Sequence, residues 1–222
     1  MKAPLLSLTL ASTLALAGCS SLLGGGERTP TTLYSPQVQV SPDPSWPRVA
    51  ASIVVTKPTA PRMLDSARIA VRPTPDELQV YKGAAWAQSA TGMLQDTVVR
   101  TLEDAGKTDG VGSAESGIHG VYKLLLDVRR FEADYAGGST PSATLVVNAK
   151  LVRNLDQRVL SSRTFSVVQP AAGTEVAQVV PAFDQALAQL TGQLVGWTLT
   201  TAAAQPAMTP VVPPASIGTP VR

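Results

Sequence analysis

The sequence predicts a single domain of the α/β (α+β) class, in which two amphipathic helices pack on a sheet. Three runs alternate apolar and polar side chains and have short connections, which is typical of consecutive antiparallel strands; they span 121–130, 143–151 and 158–168. Apolar residues recur every three or four positions over 86–105 and 176–197, as in helices that bury one face. The chain of 222 residues is long enough for one such core.

Four further strands are predicted before the first helix, because short β-branched segments alternate there with prolines. They span 33–40, 50–56, 67–71 and 78–81. Ser89 is the expected N-cap of the first helix and Gly106 its C′ residue. Gly92, inside the helical pattern, suggests close packing of that helix on the sheet.

Two segments are harder to assign. Residues 107–120 are polar and rich in glycine, so we expect a loop. Pro181 interrupts the apolar pattern of the second helix. Either the regular helix begins near this proline, where the first turn tolerates it, or the helix kinks there.

The amino terminus has the pattern of a lipoprotein signal peptide over residues 1–18. Lys2 provides a positive charge, residues 4–17 form a short apolar run, and small residues precede Cys19, as at a bacterial lipobox. The run is shorter than the ~20 apolar residues of a membrane-spanning helix. The lipobox resemblance implies that Cys19 becomes the first mature residue and carries lipid on its sulfur and amino group. The alternative is an ordinary secretory signal followed by an incidental cysteine.

We place the folded domain at residues 33–200. The segments on either side of it contain few residues that could form a core. Residues 19–32 include three consecutive glycines and are expected to form a flexible, lipidated tether. At ~3.5 Å per residue this tether reaches at most ~45 Å. Residues 201–222 are rich in proline and alanine, so we expect a disordered tail.

Charge and composition exclude several classes of function. The net charge of +2 falls to +1 once Lys2 is removed with the signal peptide, so the sequence offers no basic surface for nucleic acid. Cys19 is the single cysteine, which leaves no pair for a disulfide and no cysteine cluster for zinc. We expect neither a metal nor a cofactor.

Candidate catalytic residues are few. His119 is the only histidine and lies in a glycine-rich stretch, where an exposed or capping role is more common than a catalytic one. Asp127, Glu132 and Asp134 surround a predicted strand end, and we expect them to form a solvated face. Residues 106–108 imitate the end of a phosphate-binding loop, but the required preceding glycine and strand are missing. We therefore expect no enzymatic activity.

The order of motifs resembles that of the ABC-type transport auxiliary lipoproteins. The resemblance is greatest over residues 78–102, where a strand, a turn, an aromatic residue and a helix follow one another. The sequence departs from the family pattern in the first strand and in the proline-rich tail. The other matching features are the lipobox, Tyr34, residues 67–71, Phe131, Thr164 with Phe165, and Trp197.

The resemblance implies a mixed sheet with two helices packed on it and a non-enzymatic role in an MCE/ABC-type lipid transport system. The implied partners are the membrane, an MCE-domain protein, a permease and an ATPase, with phospholipid or sterol-like lipid as cargo. It leaves open whether the domain binds lipid or forms a homo-oligomer. Ser20 is not an aspartate, which favours the periplasmic face of the outer membrane over the inner membrane.

Two other functions remain open from the sequence. A scaffold lipoprotein in outer-membrane or cell-wall assembly would share the anchor, the near-neutral charge and the lack of catalytic motifs. A hydrolase would need a carboxylate such as Asp127 or Glu132 as its acid or base.

Overall fold

The computed structural model describes residues 30–206, which form one eight-stranded mixed sheet and two helices. This confirms the predicted α+β class. The strands are β1 (Thr32–Tyr34), β2 (Val49–Val55), β3 (Arg68–Thr74), β4 (Glu77–Trp86), β5 (Thr108–Ser113), β6 (Tyr122–Asp134), β7 (Ser142–Arg153) and β8 (Arg158–Pro170), and the helices are α1 (Ala90–Ala105) and α2 (Val176–Ala203).

Strand β6 organises the sheet because three strands pair with it. Its whole length pairs with β7, and β7 pairs with β8, in the predicted antiparallel meander. On its other edge, β2 runs parallel to the beginning of β6 and β3 runs parallel to its end. The outer strands then add β5 beside β2, and β4 followed by β1 beside β3. The longest ladders are therefore antiparallel, and the parallel pairings are short.

Both helices cover one face of the sheet, where the core lies. Three aromatic rings join the layers: Trp86 at the end of β4, Phe131 on β6 and Phe183 on α2. The ring centroids of Trp86 and Phe183 are 5.1 Å apart, and those of Phe131 and Phe183 are 5.2 Å apart. These buried rings contribute packing energy beyond their buried area and fix the position of α2 on the sheet.

Helix α1 begins and ends where its capping residues predict. Ser89 is the N-cap, and its Oγ accepts a hydrogen bond of 3.2 Å from the Gly92 N–H. Gly106 is the C-cap, with a left-handed φ of 60°. The expectation for Gly92 was wrong, because a Cβ there would meet Ser89 Oγ at 3.3 Å and not the sheet. The absence of a side chain at Gly92 instead leaves room for the Ser89 hydroxyl that caps the helix.

The segment 107–120 was wrongly expected to be entirely a loop. Its first part forms β5, an edge strand that runs parallel to β2. The strand has few β-branched residues, so its conformation depends on the backbone ladder. A side chain at Gly112 would come within 2.6 Å of Ile118 Cδ1, so the missing Cβ makes room for the chain that folds back over this strand.

Helix α2 begins at Val176 and continues through Pro181 in its second turn, so it does not begin at the proline. Ala177 and Pro181 both lie on the exposed side, where water can bind the carbonyl group that the proline leaves without a partner. The helix ends at Ala203, three residues beyond the predicted domain end at residue 200, because alanine continues a helix readily. Residues 207–222 lie outside the described part of the chain.

Strand β1 is shorter than predicted, because Pro36 and Pro42 follow it and cannot donate to a ladder. Residues 35–48, which we call the N-terminal strap, instead cross the helices on the way to β2. A Cβ at Gly196 of α2 would lie only 2.8 Å from Trp46 Nε1, so the Trp46 indole rests directly on the helix backbone. The glycine thus makes room for the strap.

We predict that Gly196→Leu will loosen the strap, because the new side chain would occupy the space of the Trp46 ring. Overpacking of this kind costs about 1–3 kcal/mol. Limited proteolysis should cleave the variant within residues 35–48 faster than the wild type, and thermal unfolding should begin at a lower temperature. Gln193→Leu, on the exposed side of the same helix, is the matched control. Equal behaviour of the two variants would contradict the prediction.

Candidate functional site

A β-bulge in β6 determines which side chains face the helices. Before the bulge, Leu126 and Val128 point into the core, and the register with β7 shifts between Val128 and Arg130. After it, Phe131 and Ala133 are the core residues. The bulge therefore turns the alternating residues Arg130, Glu132 and Asp134 toward the face of the sheet opposite the helices.

These residues and Arg72 of β3 form a set of ion pairs, which we call the Glu132 cluster. Glu132 is 1 % exposed, and no other charged residue within 30–206 is buried. Its Oε1 accepts hydrogen bonds from Arg72 Nε at 2.8 Å and from Arg130 Nε at 2.7 Å. Its Oε2 accepts a third from Arg72 Nη2 at 3.2 Å. Both oxygens of this buried carboxylate are therefore engaged by guanidinium groups.

The cluster extends beyond Glu132 in two directions. Arg130 Nη2 donates to Asp134 Oδ2 at 2.5 Å, and Arg72 Nη1 donates to the carbonyl oxygen of Pro75 at 2.8 Å. Burial disfavours the ionised form of Asp134, but the hydrogen bonds from Arg130 and the Ala136 N–H, together with the nearby guanidinium charges, outweigh it and hold the pKa of Asp134 below its usual range. The hydrogen bond to Glu132 raises the pKa of Arg72. The cluster fastens the end of β3 to β6, where only two residue pairs join the strands.

The expectation of a solvated acidic face was wrong for Glu132 and Asp134, because the bulge and two arginines enclose them. It fits Asp127, which is half-exposed and lies before the bulge. Asp127 Oδ2 accepts from Arg129 Nε at 3.2 Å, and its Oδ1 accepts from Thr59 Oγ1 at 3.3 Å. The structure therefore does not place the three carboxylates in one shared site.

The other candidates lie apart from this cluster. His119 is exposed, and its carbonyl oxygen accepts from Ser52 Oγ at 3.4 Å. Gly106 caps α1 and Thr108 begins β5, so residues 106–108 form a junction between a helix and a strand. Lys107 Nζ donates to the carbonyl oxygen of Pro44 in the N-terminal strap. Cys19, the expected lipidation site, lies outside the described residues.

A groove of about 700 Å³ runs between the N-terminal strap and α1. Its walls are mainly polar and carry Asp96, Arg100 and Asp104 from the helix, while Met93 and Leu187 contribute apolar surface. Sequence reasoning missed this groove, because it arises from the path of residues 35–42, which have no periodic pattern.

Within residues 30–206, neither helix is long and apolar enough to cross a membrane.

The fold and its neighbours define the class of protein. Residues 32–195 match the family described as ABC-type transport auxiliary lipoprotein component, and the chain belongs to that family. This confirms the resemblance noted in the sequence.

Solved structures and a curated relative are also similar to this chain. The crystal structure of protein XCC0632 from Xanthomonas campestris is 55 % identical, covers 78 % of this chain and 97 % of its own, and superimposes with a TM-score of 0.74. Another crystallised protein, of uncharacterised function, is 14 % identical, covers 75 % of this chain and 97 % of its own, has a TM-score of 0.58, and shares the fold. The uncharacterised protein bll6063 of Bradyrhizobium diazoefficiens is 28 % identical over 83 % of this chain and 49 % of its own, so the chain spans about half the length of that relative.

We predict that Glu132→Gln will destabilise the domain by about 2–3 kcal/mol, because it removes one charge from a network that holds two arginines. The loss should be smaller than for fully buried ions, since Arg72 and Arg130 are 24 % and 34 % exposed. Urea denaturation would measure it. Asp127→Asn is the control, with an expected change within about 0.5 kcal/mol. Equal losses in the two variants would show that the cluster adds no stability.

The lowered pKa of Asp134 predicts a specific dependence on pH. A carboxylate with a depressed folded-state pKa stabilises the fold above its unfolded pKa of about 3.9, and this contribution disappears as the pH falls through the folded value. Asp134→Asn should therefore be less stable than the wild type at pH 7, and the difference should shrink below about pH 4. Urea titrations at several pH values test this. A constant difference would refute it.

Proposed function

We propose that this protein is a membrane-anchored periplasmic lipoprotein and a non-enzymatic accessory of an MCE/ABC-type lipid transport system. The match of residues 32–195 to the auxiliary lipoprotein family carries this proposal. The lipobox that ends at Cys19 supports the membrane anchor. The accessory would dock the periplasmic part of the transporter or shape the exit of its lipid path.

The anchor in this proposal is lipid attached to Cys19. Each buried methylene contributes roughly 0.8 kcal/mol and a single acyl chain binds only marginally, so several chains on one cysteine would hold the protein permanently. Residues 19–32 would then form the tether, which joins the sheet at the short strand β1. The position of Ser20 after the cysteine favours the outer membrane over the inner membrane.

A non-enzymatic role agrees with the surroundings of the carboxylates. Glu132 is buried and both of its oxygens accept hydrogen bonds from arginines, so it is a poor candidate for an acid or base that a substrate must reach. Asp127 is accessible, but the groups that contact it are a threonine hydroxyl and an arginine. The proposed partners follow from the family instead: an MCE-domain protein, a permease, an ATPase, and phospholipid or sterol-like cargo.

We predict that Cys19→Ala will release the protein from the membrane or leave an uncleaved precursor, while the domain keeps its fold. Fractionation of envelope membranes would measure the attachment, and circular dichroism would measure the fold. Ser20→Ala is the control and should remain attached. A cleaved Cys19→Ala protein that stays fully with the membrane would reveal a second anchor.

The transport assignment is tested by gentle purification of the full-length lipidated protein from envelope membranes. Mass spectrometry should then identify a permease, an ATPase and an MCE-domain protein, together with bound lipid. Recovery of cell-wall or outer-membrane assembly proteins without transporter components would contradict the proposal and favour a scaffold.

A further inference from the structure

Strand β8 leaves a long edge of the sheet without a neighbour among the described residues. It has 13 residues and pairs only with β7. The sheet's other two edge strands are much shorter, since β1 has three residues and β5 has six. A long free edge presents unpaired N–H and C=O groups and is a ready template for another strand. We propose that this edge accepts an extended, acidic segment of a partner protein by β-strand addition.

The charges of β8 indicate the chemistry of the added strand. Arg158 and Arg163 are its only charged residues, and it contains neither aspartate nor glutamate. The Arg163 guanidinium lies 5.0 Å from the centre of the Phe165 ring, on the face of the sheet that the helices cover. An added strand would place one side chain directly across from Arg163 on this face. A carboxylate at that position would complement the guanidinium.

Apolar surface lies next to this charge. Phe165 is buried, and its ring centroid is 5.7 Å from that of Trp197 on α2, in an edge-to-face arrangement. Trp197 is only half-buried. Because side chains alternate along a strand, the partner residue two positions from the carboxylate would lie beside Phe165 and Trp197. An apolar residue there would cover the exposed part of the indole.

The opposite face of β8 fits a strand of neutral residues. Ser162, Thr164 and Ser166 form a row of hydroxyl groups there, and Val168 is 59 % exposed at its end. The segment expected to bind therefore carries glutamate or aspartate and an apolar residue on one face, with small or hydroxyl-bearing residues on the other. This pattern gives specificity, while the backbone hydrogen bonds provide affinity.

Two other occupants fit less well. A second copy of β8 would place side by side two strands that each carry two arginines and no carboxylate, which opposes pairing. The chain's own residues 207–222 include prolines at 210, 213, 214 and 220, each of which lacks a donor for the ladder. The arginines also explain how the edge avoids pairing with itself before a partner arrives. The inference does not depend on which transport system the protein serves.

Hydrogen exchange of the full-length lipidated protein in detergent micelles tests the proposal with two peptide probes. Both are ten-residue peptides that alternate valine and threonine; one carries two glutamates on its valine face and the other carries two lysines there. The glutamate peptide should slow exchange of β8 amides by about tenfold or more and leave β5 unchanged. The lysine peptide should bind about tenfold more weakly or worse.

Charge reversal at Arg163 tests whether this arginine determines which peptide binds to the β8 edge. Arg163→Glu should invert the preference between the two peptides, whereas Arg62→Glu, an equal charge change on an exposed loop, should not. Unchanged thermal unfolding would show that both variants are folded. Equal binding of both peptides, protection away from β8, or no protection by either peptide would overturn the proposal. The proposal would also be overturned if the β8 amides were already protected in the purified protein without any peptide. Sedimentation would show whether dimers cause that protection, and deletion of residues 207–222 would show whether the chain's own end does.

Discussion

The bulge in β6 is the constraint on which much of the sheet depends. A strand of thirteen residues with unbroken alternation would present a single set of side chains to the helices. The bulge exchanges the two sets, so the beginning of β6 contributes aliphatic residues to the core and its end contributes Phe131. The same change sends Glu132 to the opposite face, where arginines must accompany it. The aromatic centre of the core and the buried ion pairs are thus two results of one backbone irregularity.

Two strands share the edge of β6 that lies opposite β7. Strand β2 contacts only the beginning of β6 and β3 only its end, so neither parallel pairing is long enough to hold the sheet alone. Packing of Trp86, Phe131 and Phe183 secures the helix-covered face, and the Glu132 cluster secures the other. The parallel half of the sheet therefore relies on side chains more than the antiparallel half does.

Much of the fold follows from local patterns that can be read in the sequence. Alternation located the meander, and Ser89 and Gly106 located the ends of α1, because both signals depend on neighbouring residues alone. Strand β5 was missed, since a segment rich in glycine becomes a strand only when β2 supplies a partner. The Glu132 cluster was missed as well, because no sequence pattern predicts the bulge. Arg72, 60 residues away in sequence, has no local signal that links it to Glu132.

The N-terminal strap has a mechanical consequence for a protein held at its amino terminus. Force applied through that end reaches β1 first, where three residue pairs with β4, a hydrogen bond from the Ala87 N–H to the Tyr34 carbonyl oxygen and the packing of Tyr34 on the core resist it. Once β1 separates, the strap can peel from α2 until β2 is reached, and the core strands are not yet disturbed. Residues 32–48 would then span at most about 60 Å as extended chain, at ~3.5 Å per residue. Under the proposed attachment through Cys19, this length would let the domain move away from the membrane under tension and return by repacking.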